Sequence, residues 1–313
     1  RAELLIMSMK NSSRLIFLEK RLKKLNLKYK IFNGIEGKNQ YQRNKVYKYY
    51  NKKAVIERTG REMGFNEIGG SYTFLRVLRY CVKNKLENSI IMHDDFYPSK
   101  LFKEWIERKI NFQGNTIVGF QCFPPGFLKK KYETVLDQKV KVYEAKTHLF
   151  NSGCNQVTLG FAKQFIKISK NKIGGNGDWE FEFKKNNITA LQTLPFLSYP
   201  DDRGISFLAK DRDKLEKTSL KKIRKYLYKI FGIKFSNKIF NFLRVPYYIL
   251  FIPFLLGKYN NINYYIEYYF EKYFYKLINP IFNLYIDIEN IYSLKSSYPK
   301  DLKKFANYRV FDE

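Results

Sequence analysis

Cysteine is scarce in this chain of 313 residues. Its three cysteines, Cys81, Cys122 and Cys154, lie far apart and form neither a CxxC pair nor a cysteine/histidine cluster. An odd and sparse set argues against a disulfide-stapled fold and against structural zinc, and it is typical of reduced thiols in the cytosol. The sequence therefore predicts a fold held together by packing, with neither of these crosslinks.

Long apolar runs are also lacking. The longest, residues 245–257 (VPYYILFIPFLLG), is interrupted by Pro246 and Pro253, and it falls short of the roughly 20 residues that a bilayer requires. The opening RAELLIMSMK has neither the apolar run nor the cleavage site of a signal peptide. We therefore expect a cytoplasmic protein without a membrane-spanning helix.

Acidic residues are few, and basic residues outnumber them two to one. The chain has 58 Lys and Arg against 29 Asp and Glu, a net charge of +29. Such an excess favours phosphate-rich partners, meaning nucleic acid, anionic lipid or nucleotide substrates. Lys, Asn, Tyr, Ile and Phe are all abundant, as in proteins from AT-rich genomes, so charge alone leaves the partner open. With 45% hydrophobic and 18% aromatic residues, the chain has the composition of a folded protein.

The first two thirds of the chain alternates between strand-like and helix-like segments. Strands are predicted at residues 4–8, 28–37, 89–92, 115–123 and 188–200, helices at 12–27, 64–87 and 98–109, and a strand running into a helix at 151–171. Ser12 or Ser13 is a plausible N-cap of the first helix. This alternation predicts an α/β fold whose sheet is at least partly parallel and is covered by helices on both faces.

The character of the sequence changes near residue 213. Residues 214–276 contain 13 Lys or Arg and 3 Glu, interleaved with Tyr, Phe and Ile. A basic, aromatic helical region can lie on an anionic membrane surface, and it can equally pack its rings on the rest of the protein. We expect two parts, residues 1–212 and 213–313, the second a possible membrane-surface attachment.

The segment SIIMHDDFYP, residues 89–98, is a candidate site. An apolar strand ends on His93, Asp94 and Asp95, and ligands of parallel sheets gather beyond the carboxyl ends of the strands. Paired aspartates suit Mg²⁺ or Mn²⁺, which bind oxygen and keep positions open for phosphate. From local sequence alone, the pair could equally cap the helix that follows.

The order of several short motifs resembles glycosyltransferase family 25, the lipopolysaccharide-type galactosyltransferases. The matching segments are IMSMKNSSR at 6–14, FNGIEG at 32–37, NEIGGSYTF at 66–74, IIMHDD at 90–95 and the DW pair at 178–179. No single motif is specific, but the ordered set covers roughly residues 4–200. The chain departs from the family pattern at Gly70, Thr73 and Phe74, and His93 stands where the family carries a glutamate.

The resemblance implies a GT-A type fold, a UDP-sugar donor and a divalent cation, Mn²⁺ or Mg²⁺. It places the cation on Asp95 and Asp94, assisted by His93. It also implies that Ser8, Ser12, Arg14 and Asp94 contact the nucleotide. A cation and basic side chains at this position would stabilise the charge that develops on a diphosphate leaving group.

The resemblance further implies an inverting reaction, which needs a general base for the acceptor hydroxyl. Asp178, behind the GGNG segment at 174–177, is the candidate base and Glu180 the reserve. Trp179 could stack on a sugar, and Asp202 could contact a substrate. The alternatives are a helix N-cap for Asp178, a core anchor for Trp179 and a solvated turn for Asp202.

The resemblance implies a transferase that moves a hexose, galactose, to a cell-surface polysaccharide or lipooligosaccharide. The expected partners are the nucleotide sugar, a glycan or glycolipid acceptor and an anionic membrane at its inner face. Nucleic acid is not expected, because no nucleic-acid fold signature is present. The alternative is a catalytically degenerate GT-A protein that acts as a basic membrane-binding or nucleic-acid-binding module.

Overall fold

A computed structural model describes residues 2–35, 40–53, 55, 62–120, 128–145, 153–169, 186–201 and 203. In chain order, the first elements are β1 (Glu3–Ser8), α1 (Ser13–Lys24), β2 (Lys30–Asn33), α2 (Gln40–Tyr47), α3 (Phe65–Lys83), β3 (Asn88–His93), β4 (Phe96–Pro98) and α4 (Lys100–Glu107). They are followed by β5 (Thr116–Gly119), β6 (Leu128–Val135), β7 (Val140–Ala145), β8 (Cys154–Thr158), α5 (Leu159–Ser169), β9 (Thr189–Leu194) and β10 (Ser198–Pro200).

Eight strands form one mixed sheet in the order β2-β1-β3-β8-β5-β9-β7-β6. The pairs β1–β2, β1–β3 and β5–β9 are parallel. The pairs β3–β8, β5–β8, β7–β9 and β6–β7 are antiparallel. The short strands β4 and β10 pair with each other in a separate two-stranded sheet. The prediction of a partly parallel α/β sheet is therefore confirmed.

Helices cover both faces of this sheet. Side chains alternate along a strand, so Leu4 and Ile6 of β1 face one core cluster while Leu5 and Met7 face the other. The first cluster is filled by α1 and α4, through side chains such as Leu18, Leu22, Phe102 and Trp105. The second is filled by α3 and α5, through Phe74, Leu78, Phe161 and Ala162. A strand with both faces buried reads as an apolar run, which explains LLIM in β1 and IIM in β3.

Several predicted boundaries were wrong. The helix expected from residue 98 begins at Lys100, because the Ser99 side chain caps it by accepting a hydrogen bond from the Phe102 N–H at 3.2 Å. Pro98 belongs to β4 instead. The strand expected over residues 188–200 is two strands, β9 and β10, on either side of Pro195, whose missing N–H cannot extend a ladder. The hairpin of β6 and β7 was not predicted.

No helix in the described ranges is long and apolar enough to cross a bilayer. The predicted second part of the chain, residues 213–313, lies outside the described residues. Its helical character and its boundary therefore stay predictions.

Candidate functional site

Three parallel strands end at one edge of the sheet, where they form the wall of a cleft. β1 ends at Ser8, β2 at Asn33 and β3 at His93. The cleft, about 110 Å³ in volume, lies between these ends and the first turns of α3. Its lining is Met7, Ser8, Met9, Ser12, Arg14, Gly34, Ile35, Asn66, Gly69, Gly70, Thr73, His93, Asp94 and Asp95. This is the place where sheets of this kind bind ligands.

Asp94 is anchored to the end of β1. The Ser8 hydroxyl donates a hydrogen bond to Asp94 Oδ2 at 2.6 Å, and the Asp94 N–H donates to the carbonyl of Met7 at 3.2 Å. On the other side of β1, the Gly34 N–H donates to the Ser8 carbonyl at 2.7 Å. The turn after β3 and the exit of β2 are thus both tied to the same residue, Ser8.

Asp95 forms an ion pair with a helix residue. Arg14 lies in the first turn of α1, and its Nη1 donates to Asp95 Oδ2 at 3.0 Å. Burial raises the pKa of Asp95, and the neighbouring Asp94 raises it as well, while the charges of His93 and Arg14 oppose this rise. The arginine is the more enclosed partner, with 15% of its side chain exposed against 35% for the aspartate. An Arg–carboxylate pair facing a cleft presents both signs of charge to a ligand.

Three buried polar atoms at the cleft have no hydrogen-bond partner among the described residues. They are Ser12 Oγ, Arg14 Nε and Asp95 Oδ1. Ser12 occupies the N-cap position of α1, yet its side chain makes no capping bond and only 4% of the residue is exposed. Buried polar groups in folded proteins almost always find a partner, so this set of atoms points to a polar ligand in the cleft.

The donor set fits a divalent cation only in part. In the described ranges, no three His, Cys, Asp or Glu side chains are close enough together to hold a metal ion. Asp95 Oδ1, however, is a buried carboxylate oxygen without a hydrogen bond to any described residue, and Mg²⁺ needs only one or two protein carboxylates when phosphate and water complete its shell. Asp94 and Asp95 therefore fit a cation that arrives with a phosphate-bearing substrate, while His93 as a ligand stays a prediction.

The structure brings together six of the residues that the sequence singled out: Ser8, Ser12, Arg14, His93, Asp94 and Asp95. The alternative of a helix cap for the aspartates is wrong, because Ser99 caps α4. The other four predicted site residues, Asp178, Trp179, Glu180 and Asp202, lie outside the described residues.

Sequence reasoning missed the contribution of α3 to the cleft. Asn66, Gly69, Gly70 and Thr73 recur at helical spacing and line its second wall. All four lie in the motif NEIGGSYTF, to which the sequence alone assigns no role in the site. Glu67 within it is structural, since it is 4% exposed and its Oε2 accepts a hydrogen bond from the Gly64 N–H at 3.0 Å.

A comparison with protein families decides where this arrangement belongs. The family model described as glycosyltransferase family 25 (LPS biosynthesis protein) matches residues 2–177, more than half of the chain. The chain belongs to glycosyltransferase family 25. The matched residues include every residue of the cleft lining, so the cleft lies within the part of the chain that carries the family pattern. Family 25 membership indicates a glycosyltransferase of lipopolysaccharide biosynthesis, with a nucleotide-sugar donor and a glycan acceptor.

The solved structures that match this family 25 chain have low sequence identity to it and low TM-scores. Protein A197 from STIV is 14% identical, with a TM-score of 0.32, and the match covers 66% of this chain and 96% of that one. HddC from Yersinia pseudotuberculosis complexed with GMP-PN is 14% identical, with a TM-score of 0.31, covering 68% and 99%. Likenesses at this level support no conclusion about chemistry. No curated protein matches the chain.

Proposed function

We propose that this protein is an inverting GT-A type glycosyltransferase that moves a hexose, galactose, from a UDP-sugar to a lipooligosaccharide or other cell-surface polysaccharide. The observation that carries the proposal is the cleft at the carboxyl ends of β1, β2 and β3. There an Arg–Asp pair, a second aspartate and three buried polar atoms without a partner in the described part of the chain lie together within the family match.

The charges of the cleft suit a diphosphate. Arg14 is fixed by Asp95 through Nη1, which leaves its buried Nε as a donor for a phosphate oxygen. Ser12 Oγ, also buried and without a hydrogen bond to any residue that the structure describes, is a second donor from the same turn. Donors that are already in place when the leaving group gains charge stabilise the transition state without reorganisation.

The two aspartates are proposed to hold a divalent cation, Mn²⁺ or Mg²⁺, through Asp95 Oδ1 and Asp94. When bound, such a cation supplies Lewis-acid stabilisation of the departing diphosphate. Ser8 keeps Asp94 oriented by its 2.6 Å hydrogen bond. Arg14 keeps Asp95 Oδ2 occupied, so Oδ1 is the oxygen directed to the ligand.

The acceptor side of the reaction rests on the sequence. We propose Asp178 as the general base, with Glu180 as reserve, because inversion requires removal of the acceptor proton. Trp179 is proposed to stack on a sugar ring, and Asp202 to contact a substrate hydroxyl. Residues 213–313 are proposed to attach the protein to the inner face of an anionic membrane, where a lipid-linked acceptor would be found.

The test is turnover of UDP-galactose and UDP-glucose with Mn²⁺ or Mg²⁺, measured as UDP release, together with UDP binding by calorimetry. Asp95→Asn keeps the side-chain volume but removes the charge that holds Arg14 and a cation. We expect a loss of turnover of at least about 100-fold, in keeping with removal of a principal electrostatic group.

The matched control is Asp137→Asn. Asp137 also pairs with an arginine, Arg108, at 3.0 Å, but both side chains are more than 60% exposed and neither lines the cleft. This variant should turn over like the wild type. If the wild-type chain neither binds UDP nor turns over a nucleotide sugar with either cation, the transferase proposal is wrong and the degenerate binding module replaces it.

A further inference from the structure

Asp201 and Arg203 form a further arginine–aspartate pair, next to the turn that carries Asp95. Asp201 follows β10 and is 5% exposed. The guanidinium of Arg203 donates two hydrogen bonds to the Asp201 carboxylate, from Nε to Oδ1 at 2.8 Å and from Nη2 to Oδ2 at 2.5 Å. The Arg203 N–H donates to the same Oδ1 at 3.1 Å. A bidentate pair with an additional backbone donor fixes the carboxylate in one orientation.

This pair is joined to the cleft through the backbone. The Asp201 N–H donates to the carbonyl of Asp95 at 2.7 Å. Just beyond Asp95, β4 pairs with β10 in antiparallel register, with Phe96 opposite Pro200 and Tyr97 opposite Tyr199. The backbone of Asp95 is therefore held in place by β10 and by Asp201, the residue that follows it.

Arg203 also reaches the helix that carries Arg14. Its guanidinium carbon lies 4.7 Å from the ring centre of Phe17 in α1 and 6.0 Å from that of Tyr97 in β4. Arg21 of α1 lies 4.4 Å from the same Tyr97 ring and donates from Nε to the Pro98 carbonyl at 2.9 Å. Two arginines and two rings thus connect α1 to β4.

Arg14 and Asp95 belong to these two connected segments. Their 3.0 Å ion pair can persist only if α1 and the turn after β3 keep their relative position. The aromatic and arginine contacts fix α1 against β4, and the Asp201 N–H fixes the Asp95 peptide. We propose that Asp201 and Arg203 are positioning residues that hold Asp95 against Arg14 for nucleotide binding. The proposal rests on the function proposed above.

The test measures UDP affinity in four chains: wild type, Arg203→Gln, Asp95→Asn and the double variant. Arg203→Gln removes the bidentate ion pair with Asp201 and the positive charge over the Phe17 ring. Loss of a residue that orients a metal ligand typically costs on the order of 10- to 100-fold in metal affinity or activity, and Arg203 supports Asp95 in a similarly indirect way. We expect about a 10-fold weaker affinity in the wild-type background and no further loss in the Asp95→Asn background. A purely structural role would weaken UDP binding equally in both backgrounds, and that result would overturn the proposal.

Hydrogen exchange tests the same idea without nucleotide. Arg203→Gln should speed exchange of the Asp201 amide, which bonds to the Asp95 carbonyl. The Thr189 amide, which donates to the Asn115 carbonyl at 2.9 Å at the start of β9, is the internal reference and should not change. Unchanged exchange at Asp201 would overturn the proposal. A wild-type chain that neither binds UDP nor turns over a nucleotide sugar would refute the proposed transferase, and the role of the pair would then be judged by exchange alone.

Two further variants keep the test decisive. Arg108→Gln breaks the exposed Arg108–Asp137 pair and should leave UDP affinity and Asp201 exchange as in the wild type. If Arg203→Gln does not fold, Phe17→Leu takes its place, because it removes the ring beneath Arg203 and leaves the ion pair with Asp201 intact. Phe17→Leu should weaken UDP affinity and speed exchange of the Asp201 amide, each by a smaller factor than Arg203→Gln. The proposal is overturned if UDP affinity and exchange both stay as in the wild type.

Discussion

Asp94 and Asp95 are neighbours in sequence, yet their side chains meet different partners. A hydroxyl from β1 bonds to Asp94, and a guanidinium from α1 bonds to Asp95. A hydroxyl holds a carboxylate without neutralising it, whereas an arginine compensates its charge. Asp94 is thus the less compensated of the two carboxylates, and Ser8 determines where its charge is presented.

Removal of the Ser8 hydroxyl should therefore affect the ligand more than the fold. Asp94 is only partly buried, so water can replace the lost donor, and Ser8→Ala should lower the free energy of unfolding by about 1 kcal/mol. An aspartate free to change rotamer should weaken UDP binding in the presence of Mn²⁺ by about 10-fold, as for other groups that orient a metal-binding side chain. Calorimetry and chemical denaturation measure the two effects.

The matched variant is Ser71→Ala in α3. Ser71 is also a buried serine, and its hydroxyl donates to the Glu67 carbonyl at 3.0 Å inside the helix, away from the cleft lining. It should lose a similar amount of stability and bind UDP normally. Equal losses of affinity in the two variants would mean that Ser8 acts only through stability.

Cys81 and Cys154 are buried, and burial raises the pKa of their thiols to about 11 and about 12. At pH 8 only about one thiol in a thousand and one in ten thousand would be ionised, and the thiolate is the reactive form. In the native protein neither should be alkylated by iodoacetamide at pH 8, and both should be alkylated in denaturant. Peptide mass spectrometry reads each site, and native alkylation at the rate of a free thiol would contradict the described burial.

At the scale of elements, two helical glycines have opposite surroundings. A methyl group on Gly160, at the start of α5, would overlap the Gly114 carbonyl oxygen and lie 2.8 Å from Asn115 Oδ1. A methyl on Gly69 in α3 would lie in ordinary contact, 3.5 Å from Ile35 Cβ. Gly160 therefore lets α5 approach the loop before β5, whereas the described neighbours of Gly69 leave room for a methyl group.

Alanine at these two positions should have effects of opposite sign. Gly160→Ala should lower the free energy of unfolding by about 1–3 kcal/mol, because backbone must move. Gly69→Ala should raise it by up to about 1 kcal/mol, through helix propensity. Urea denaturation of both variants measures the difference. A Gly160→Ala variant as stable as the wild type would show that the loop before β5 can move away from the methyl group without a loss of free energy of unfolding.

The elements that the sequence predicted are those with a strong local pattern. The apolar runs of β1 and β3 and the leucine spacing of α1 depend on burial, which is visible in single segments. The short strands β4 and β10 carry no such pattern, because three residues cannot show a period. Their pairing depends on contacts about 100 residues apart in the chain, which no local window contains.

The same distinction applies to the site. HDD is noticeable in the sequence because polar residues end an apolar strand, and the carboxyl ends of parallel strands lie at one edge of a sheet. Ser12 and Arg14, in contrast, are predicted as site residues only from the family resemblance. The ion pair of Asp201 and Arg203 was missed because its effect on Asp95 passes through a backbone hydrogen bond and two aromatic rings. Such contacts depend on the tertiary arrangement of α1, β4 and β10 and leave no spacing rule in the sequence.

At the scale of the whole molecule, the net charge of +29 is unevenly distributed along the sequence. Residues 214–276 alone contribute +10, from 13 basic and 3 acidic residues. The described part also has exposed lysines, four of them in or just after α1: Lys20, Lys23, Lys24 and Lys28. A general electrostatic attraction to anionic lipid would involve both regions, whereas a dedicated attachment region would involve only the first.

Vesicle flotation of the full chain can separate these two cases. Basic residues near an anionic surface contribute about 1 kcal/mol each, so replacing Lys221, Lys222, Arg224 and Lys225 with glutamine should weaken binding to phosphatidylserine vesicles by at least 10-fold. Replacing Lys20, Lys23, Lys24 and Lys28 with glutamine changes the net charge by the same amount and should have little effect. Because both variants carry the same total charge, a difference between them can come only from where the charge lies. Equal weakening would assign membrane binding to the general charge of the protein instead of to residues 213–313.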